Sequence, residues 1–315
     1  MSVFVSIAAY CDPLLHFTLA RAVTTASDPA GLHFGVVDQS PDAMPRPPKQ
    51  LLGPARLSYV RIAPVDARGP CWARALAMAF YTGEDWFFQI DSHMDFDTGW
   101  DARLIAQAQA LLGNRQGVVL SAYPNPFVLQ GQQIVRKICT EGVLAHVVKP
   151  GVQFEAAHPV LSFEAHPVDS SGPLPGSHLG AGCLFAPGRL VEQFPYDPNF
   201  YFHGEEQALA LRLFTHGWDI FHMPHLPVYH LYNNAESGAP RRPLHWDAEH
   251  DALRSDTWWS LEQRSRERLA ALVGNKVRGV FGLGTQRSVG DYARFSGIDY
   301  ERRELGPQAY RPLTA

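Results

Sequence analysis

Short runs of β-forming apolar residues alternate with helical periodicity from Val3 to Ala122, and this alternation limits the possible folds more than any other feature. Val3–Ala9, Leu32–Val37, Leu57–Ile62, Trp86–Ile90 and Gly117–Ala122 read as strands. Leu14–Thr25, Cys71–Tyr81 and Gly99–Leu112 read as the helices between them. Strands that return through helices to one sheet are buried on both faces, so the pattern predicts an α/β chain with a Rossmann-like sheet flanked by helices. Ser40–Pro54 carries five prolines and cannot sustain a hydrogen-bond ladder, so it reads as a surface excursion. Strand signals are weak and mixed from Ile134 to Phe163. His166–Ser177 clusters Pro, Gly and Ser and reads as a loop.

The strand WFFQI breaks abruptly into Asp91-Ser92-His93-Met94-Asp95. In an open α/β sheet the carboxyl ends of the strands border the ligand crevice, so Asp91, His93 and Asp95 are expected to project there and not into the core. A second informative stretch, Tyr201-Phe202-His203-Gly204-Glu205-Glu206, leads into a helix that Gly217 closes. Carboxylates in a first turn suit the helix dipole, while the glycine lets a ligand approach the backbone. Alternation over Pro227–His230 predicts a short strand. If its His230 meets Asp91 and His93 in space, one carboxylate and two imidazoles could hold a cation with positions left open for oxygen ligands. His222 and His225 read as ordinary satisfied polar groups.

Composition removes several classes of function. The 27 basic and 31 acidic residues are dispersed along the chain and leave a net charge of −4, which offers no polybasic surface for nucleic acid or anionic lipid. No apolar run reaches the ~18 residues of a membrane span, and the amino terminus resembles a strand and not a leader, so the expected location is cytoplasmic. Cys11, Cys71, Cys139 and Cys183 are too scattered for a disulfide framework and are expected to be buried thiols.

The pieces VSIAAYCDP, GPCWAR, FFQIDSHMDF, WDARLI, FPYDPNFYFHGEEQALALRLFTHGWDIF and VYHLYN, in this order and spacing, resemble the cytosolic hydroxyproline-linked α-N-acetylglucosaminyltransferases. The similarity runs from about Ser2 to Asn233, with a weaker tail match in GLGTQRSVGDYARFSGID. That family is similar in turn to the mucin-type polypeptide N-acetylgalactosaminyltransferases. The resemblance implies a GT-A fold and retaining transfer of N-acetylglucosamine from UDP-GlcNAc to a protein or glycan hydroxyl with Mn²⁺ or Mg²⁺. It implies Asp91, His93 and His230 as metal ligands, with Ser92 in the donor-binding set. Arg74 falls on an arginine that reaches the nucleotide, and its replacement by Ala is expected to weaken UDP binding without unfolding the chain. Glu205 and Glu206 fall on the segment that contacts donor sugar and acceptor; in a retaining transfer neither need be a base. Ser6, Ala8 and Tyr10 would line the uridine side. Asp38 would reach uracil or ribose, by analogy with the acid after the second strand of dinucleotide folds. The roles of Asp95 and Asp97 are not assigned by the motif.

Residues 1–235 are accordingly read as the catalytic domain, with a nucleotide half to about residue 120 and an acceptor half beyond it. Residues 236–315 read as a lid loop and helical cap. Within them Asp247–Val273 is expected to be helical, Trp258 and Trp259 to be packing residues, and a loop to run from Gly282 toward Tyr310. The segment 232–246 is placed to close over the donor. Two other classes compete. His93, Asp95 and His230 also spell the facial triad of a non-haem iron oxygenase, with Arg241 or Arg242 for a keto acid. A catalytically silent sugar-nucleotide-binding module is the other.

Overall fold

The computed structural model describes residues 1–131 and 133–314. In chain order its first half contains β1 (Val3–Tyr10), α1 (Leu15–Thr25), β2 (Leu32–Gln39), β3 (Arg56–Arg61), α2 (Pro70–Met78), β4 (Trp86–Ile90), β5 (Met94–Phe96), α3 (Trp100–Leu112), β6 (Val118–Ser121), β7 (Asn125–Gln130), β8 (Gln133–Arg136) and β9 (Val143–Val148). The second half adds β10 (Phe163–Val168), β11 (Leu174–Gly176), β12 (Cys183–Pro187), α4 (Leu190–Gln193), α5 (Glu205–Thr215), β13 (Asp219–His222), β14 (Val228–His230), α6 (Ala248–Asp251), α7 (Trp258–Val273), α8 (Val289–Ser296), β15 (Ile298–Asp299) and β16 (Glu304–Leu305).

The main sheet has the order β11-β13-β6-β12-β4-β1-β2-β3. β4, β1, β2 and β3 run parallel, whereas β12 is inserted antiparallel between β4 and β6. The two-residue period of the central strands feeds two cores. Val5, Ile7 and Phe88 pack with Leu19, Trp100 and Leu104 on the face covered by α1 and α3. Phe4 and Phe87 pack with Leu209, Leu213 and Leu269 on the face covered by α5 and α7. Continuous apolar strands are thus required because both faces are dry. The architecture is a mixed α/β sandwich, one large sheet covered by helices on both faces.

A second sheet, β5-β14-β7-β8, stands at the carboxyl edge of the first. β14 pairs antiparallel with β5, His230 opposite Met94. Two stretches called loops are in fact structured. His166–Ser177 contains the end of β10 and all of β11, whose Pro167 and Pro175 hid the signal; each sits in an outermost strand, where a missing N–H is tolerated. Gly282–Tyr310 contains α8, started by a capping box between Ser288 and Asp291, and the β15–β16 pair. The helix expected over Asp247–Val273 is broken after α6 and restarts where Thr257 caps α7 by accepting from the Ser260 N–H. Cys139 is exposed, unlike the other three cysteines. Trp259 is exposed too, lying under the Arg266 guanidinium at 5.3 Å, because adjacent helical positions cannot both face the core.

Candidate active site

β4 delivers Asp91, Ser92 and His93 to the carboxyl edge, and the turn they form is clamped from α1. Thr18 Oγ1 donates to the Ser92 carbonyl at 2.8 Å, and the Met94 N–H donates to the same hydroxyl at 2.8 Å. The β5–β14 ladder brings His230 alongside, and the Leu231 N–H donates to the His93 carbonyl at 3.0 Å. Gly182 permits this crowding: a Cβ there would lie 2.5 Å from Asp91 Oδ2.

Three ligand-type atoms meet as a result. His93 Nε2 lies 2.9 Å from His230 Nε2, His230 Nε2 lies 3.1 Å from Asp91 Oδ2, and His93 Nε2 lies 3.9 Å from Asp91 Oδ2. Ligands each about 2.1 Å from one ion and at right angles are about 3.0 Å apart, so the spacing fits a shared divalent cation. The chemistry fits too, since the Nε2 atoms of two imidazoles and a carboxylate oxygen, all ordinary divalent-metal ligands, converge there. Burial pushes the Asp91 carboxyl up, but the hydrogen bond from His230, together with the neighbouring His93 and Arg74, outweighs it and holds it well below the usual carboxylate range. Burial, reinforced by His93, lowers His230 to about 4, which keeps its imidazole neutral at pH 7.

Behind the turn, Arg74 is buried between two acids. Its Nη1 donates to Glu205 Oε1 and Oε2 at 2.7 and 2.9 Å, and its Nη2 donates to Asp91 Oδ1 at 3.4 Å. The Cys71 thiol donates to Glu205 Oε2 at 2.9 Å. Burial works against the guanidinium charge, but Glu205, Tyr196 and Asp91 restore it, so Arg74 stays cationic. Glu206 faces the other way and accepts from the Ala181 N–H at 2.7 Å. A cleft of about 260 Å³ opens over the triad, bounded by Ala8, Tyr10 and Gln39 on one side and by Arg242, His245 and Trp246 on the other. A larger cavity of about 810 Å³ lies against the cap; it holds no His or Cys and one carboxylate, Glu301, and so lacks the donors for this chemistry.

The family model of the glycosyltransferases (GlcNAc) matches residues 42–302. The chain belongs to that family. Among solved structures, GalNAc-T7 with UDP, GalNAc and Mn²⁺ superposes with a TM-score of 0.57 at 14% identity, covering 76% of this chain and 45% of that one. TarS 1–349 of S. aureus superposes with TM-scores of 0.43 alone and 0.41 in complex with UDP-GlcNAc, at 12% and 13% identity. Those alignments cover 73% and 76% of this chain and 60% of TarS 1–349 in each case. The chain therefore spans less than half of the GalNAc-T7 chain. No curated protein matches the sequence.

In this glycosyltransferase Ala8, Tyr10, Arg74, Asp91, Ser92, His93 and His230 share one cleft. Ser6, Asp38, Glu205 and Glu206 are not among its lining residues. Ser6 is fully buried inside β1. Asp38 Oδ2 accepts from Tyr59 Oη at 2.5 Å and from Arg61 Nη2 at 2.8 Å, and the neighbouring Gln39 lines the cleft in its place. A period-two strand alternates its side chains, so a one-residue offset decides which group faces the ligand. Asp95, the acid required by the oxygenase reading, is fully buried and bound by Arg21 Nε at 2.6 Å and Arg136 Nε at 2.9 Å. Among the described residues the ligand cluster is Asp91, His93 and His230, without Asp95. Arg241 is at the surface with Asp247, while Arg242 is buried near Asp12. Sequence reading missed Asp12 and Gln39, and gave Arg242 only as a keto-acid partner in the oxygenase reading. For Asp12 a signal existed, because β1 and β4 are parallel neighbours and their following residues emerge at one edge.

Proposed function

We propose that this glycosyltransferase moves N-acetylglucosamine from UDP-GlcNAc to a hydroxyl of a hydroxyproline, Ser/Thr or glycan acceptor, retaining the α configuration and using a divalent ion. The convergence of Asp91, His93 and His230 within 4.8 Å carries this reading. Two imidazole nitrogens favour Mn²⁺ over Mg²⁺, which prefers an all-oxygen shell. A divalent ion bound there supplies positive charge to the pyrophosphate that departs with UDP.

The remaining work falls to the chain. Tyr10 presents a ring, and Ala8 leaves room for close approach of a base to β1. Arg74 orients Asp91 from behind, and Arg242, anchored by donating to the Leu231 carbonyl at 2.6 Å, faces the cleft as a second cation for phosphate. Glu205 is committed to Arg74 and Glu206 to the Ala181 N–H, so neither carboxylate is free to serve as a base. Retention suits this arrangement: the acceptor hydroxyl attacks on the face that the phosphate leaves, the new glycosidic bond forms as the phosphate bond breaks, and the hydroxyl proton passes to the departing phosphate oxygen. Glu206, its side chain 27% exposed, has the role in this reading of positioning hydroxyls of sugar or acceptor from outside the metal cleft.

The test is a nucleotide-sugar panel scored for UDP release in Mn²⁺ with candidate acceptors, followed by proton NMR of fresh product. An α-linked product from UDP-GlcNAc is expected, with turnover lowered at least about a hundredfold in Asp91→Asn. A β-linked product, with a pH-rate limb that vanishes in Glu206→Gln, would overturn retention. Tight UDP binding without transfer to any acceptor would instead identify a silent sugar-nucleotide-binding module.

A further inference from the structure

β1 ends in a turn that ordinary chains avoid. Cys11 has φ of 47°, the left-handed region in which a residue with a Cβ is strained, and strain of this kind persists where surrounding contacts hold it. The consequence of the turn is to tuck Asp12 beneath the Asp91–His93 turn, where it is 5% exposed. Its carboxylate is almost completely used. Oδ1 accepts from the Leu14 N–H at 2.9 Å, while Oδ2 accepts from Ser92 Oγ at 2.6 Å and from His93 Nδ1 at 2.7 Å. The Arg242 Nε lies 3.9 Å from Oδ2, so the charge is also balanced from the loop that follows β14.

We propose that Asp12 is a positioning residue that sets the tautomer and orientation of His93, so that Nε2 presents a lone pair to the site. The inference rests on the metal reading of Asp91, His93 and His230. A carboxylate can only accept, so the ring proton belongs on Nδ1. The unprotonated Nε2 then faces His230 Nε2 and Asp91 Oδ2. Carboxylate–histidine pairs of this kind orient a ligating ring and raise its basicity, and their loss typically lowers metal affinity by roughly ten- to a hundredfold. Asp12 serves three segments at once: the end of β1, the turn that carries two ligands, and the loop leading away from the third.

Two measurements test it on the full chain. The first is ¹⁵N NMR of the histidine rings without metal. A single Nδ1–H tautomer is expected for His93, giving way to mixed tautomers in Asp12→Ala; a wild-type ring protonated on Nε2, or on both nitrogens at pH 7.5, overturns the proposal. The second is Mn²⁺ binding followed by EPR of the free ion. Asp12→Ala should bind roughly ten- to a hundredfold more weakly and Asp12→Asn less so, because the amide oxygen still accepts from His93. The double variant Asp12→Ala/His93→Ala should bind no more weakly than His93→Ala alone, since the first residue acts through the second. Full additivity, or unchanged affinity in Asp12→Ala, overturns the role. If Asp12→Ala does not fold, Asp12→Asn, which keeps the volume, carries the same comparison. If wild type and His93→Ala bind Mn²⁺ alike, the metal reading itself fails, and the tautomer measurement still decides Asp12.

Discussion

Arg74 illustrates how burial changes the meaning of a residue. As a helical arginine near a nucleotide it implied a variant that loses ligand affinity and folds normally. In the structure its guanidinium neutralises Glu205, and both side chains are 7% exposed or less. Removing one partner of a buried pair leaves the other charge uncompensated, at a cost of about 3–5 kcal/mol. Arg74→Ala should therefore lower the unfolding free energy obtained from urea titration by that amount, with a lower midpoint, as well as weaken donor binding. The double variant Arg74→Met/Glu205→Met should recover most of the stability while donor binding stays weak, which separates the two effects. A urea midpoint unchanged in Arg74→Ala would mean that the pair contributes nothing.

At the scale of elements, the second sheet is held by charge and the far end of the main sheet by neutral histidines. Asp95 and Asp97, adjoining the ligand turn, bind Arg136 from β8, so β5 and β8 are tied on either side of β14 and its His230. Arg136 also lies 4.2 Å from the Tyr229 ring centre. On β13, His222 donates from Nε2 to the His178 carbonyl at 2.9 Å and accepts from the His146 N–H at 3.4 Å, which requires the neutral ring. Burial lowers His222 to about 4, and burial together with His222 and His178 lowers His146 well below its usual value; Glu206 is the acid facing this group through His178. The unfolded chain takes up these protons first, so the stabilisation is full above pH ~6.5 and is lost as pH falls toward about 4. For His222 alone the loss is on the order of 3 kcal/mol. Urea midpoints measured from pH 7 to pH 4.5 should fall in wild type and fall less steeply in His146→Phe. A flat wild-type profile over that window would contradict the neutral cluster.

At the scale of the whole molecule, the core is continuous across residue 235. Leu269 and Leu272 of α7 are buried in the same core as Phe4 of β1 and Phe87 of β4, so the carboxy-terminal segment completes one face of the sheet. The segment before it reaches the donor side: Arg254 Nη2 donates to Tyr10 Oη at 2.6 Å, and His250 Nδ1 lies 2.6 Å from the same oxygen. Cap and cleft are therefore coupled through Tyr10. Leu269→Ala should cost about 2–5 kcal/mol by opening a cavity in that core, and a single cooperative transition should persist in thermal unfolding. Two separated transitions would indicate an independent cap.

Much of this was legible because it is local or periodic. The strand WFFQI and the acids after it, the glycine before Glu205, and the alternation ending at His230 are spacings within single elements, and spacing survives without coordinates. The order of motifs likewise carried the family. What tertiary structure alone decided are pairings between residues far apart in the chain. Glu205 lies 131 positions from Arg74, and this pairing makes it a buried counter-ion and not a free carboxylate. Asp95 turns toward Arg21 and Arg136 and leaves Asp91 to join His230, 139 positions away. Asp38 and Gln39 differ by one step of a strand, and only the packing of β2 against β3 determines which faces the cleft. The physical reason is that hydrogen bonds and charge pairs act over a few ångströms in space, a distance that the order of residues does not encode until the sheet brings its strands into register.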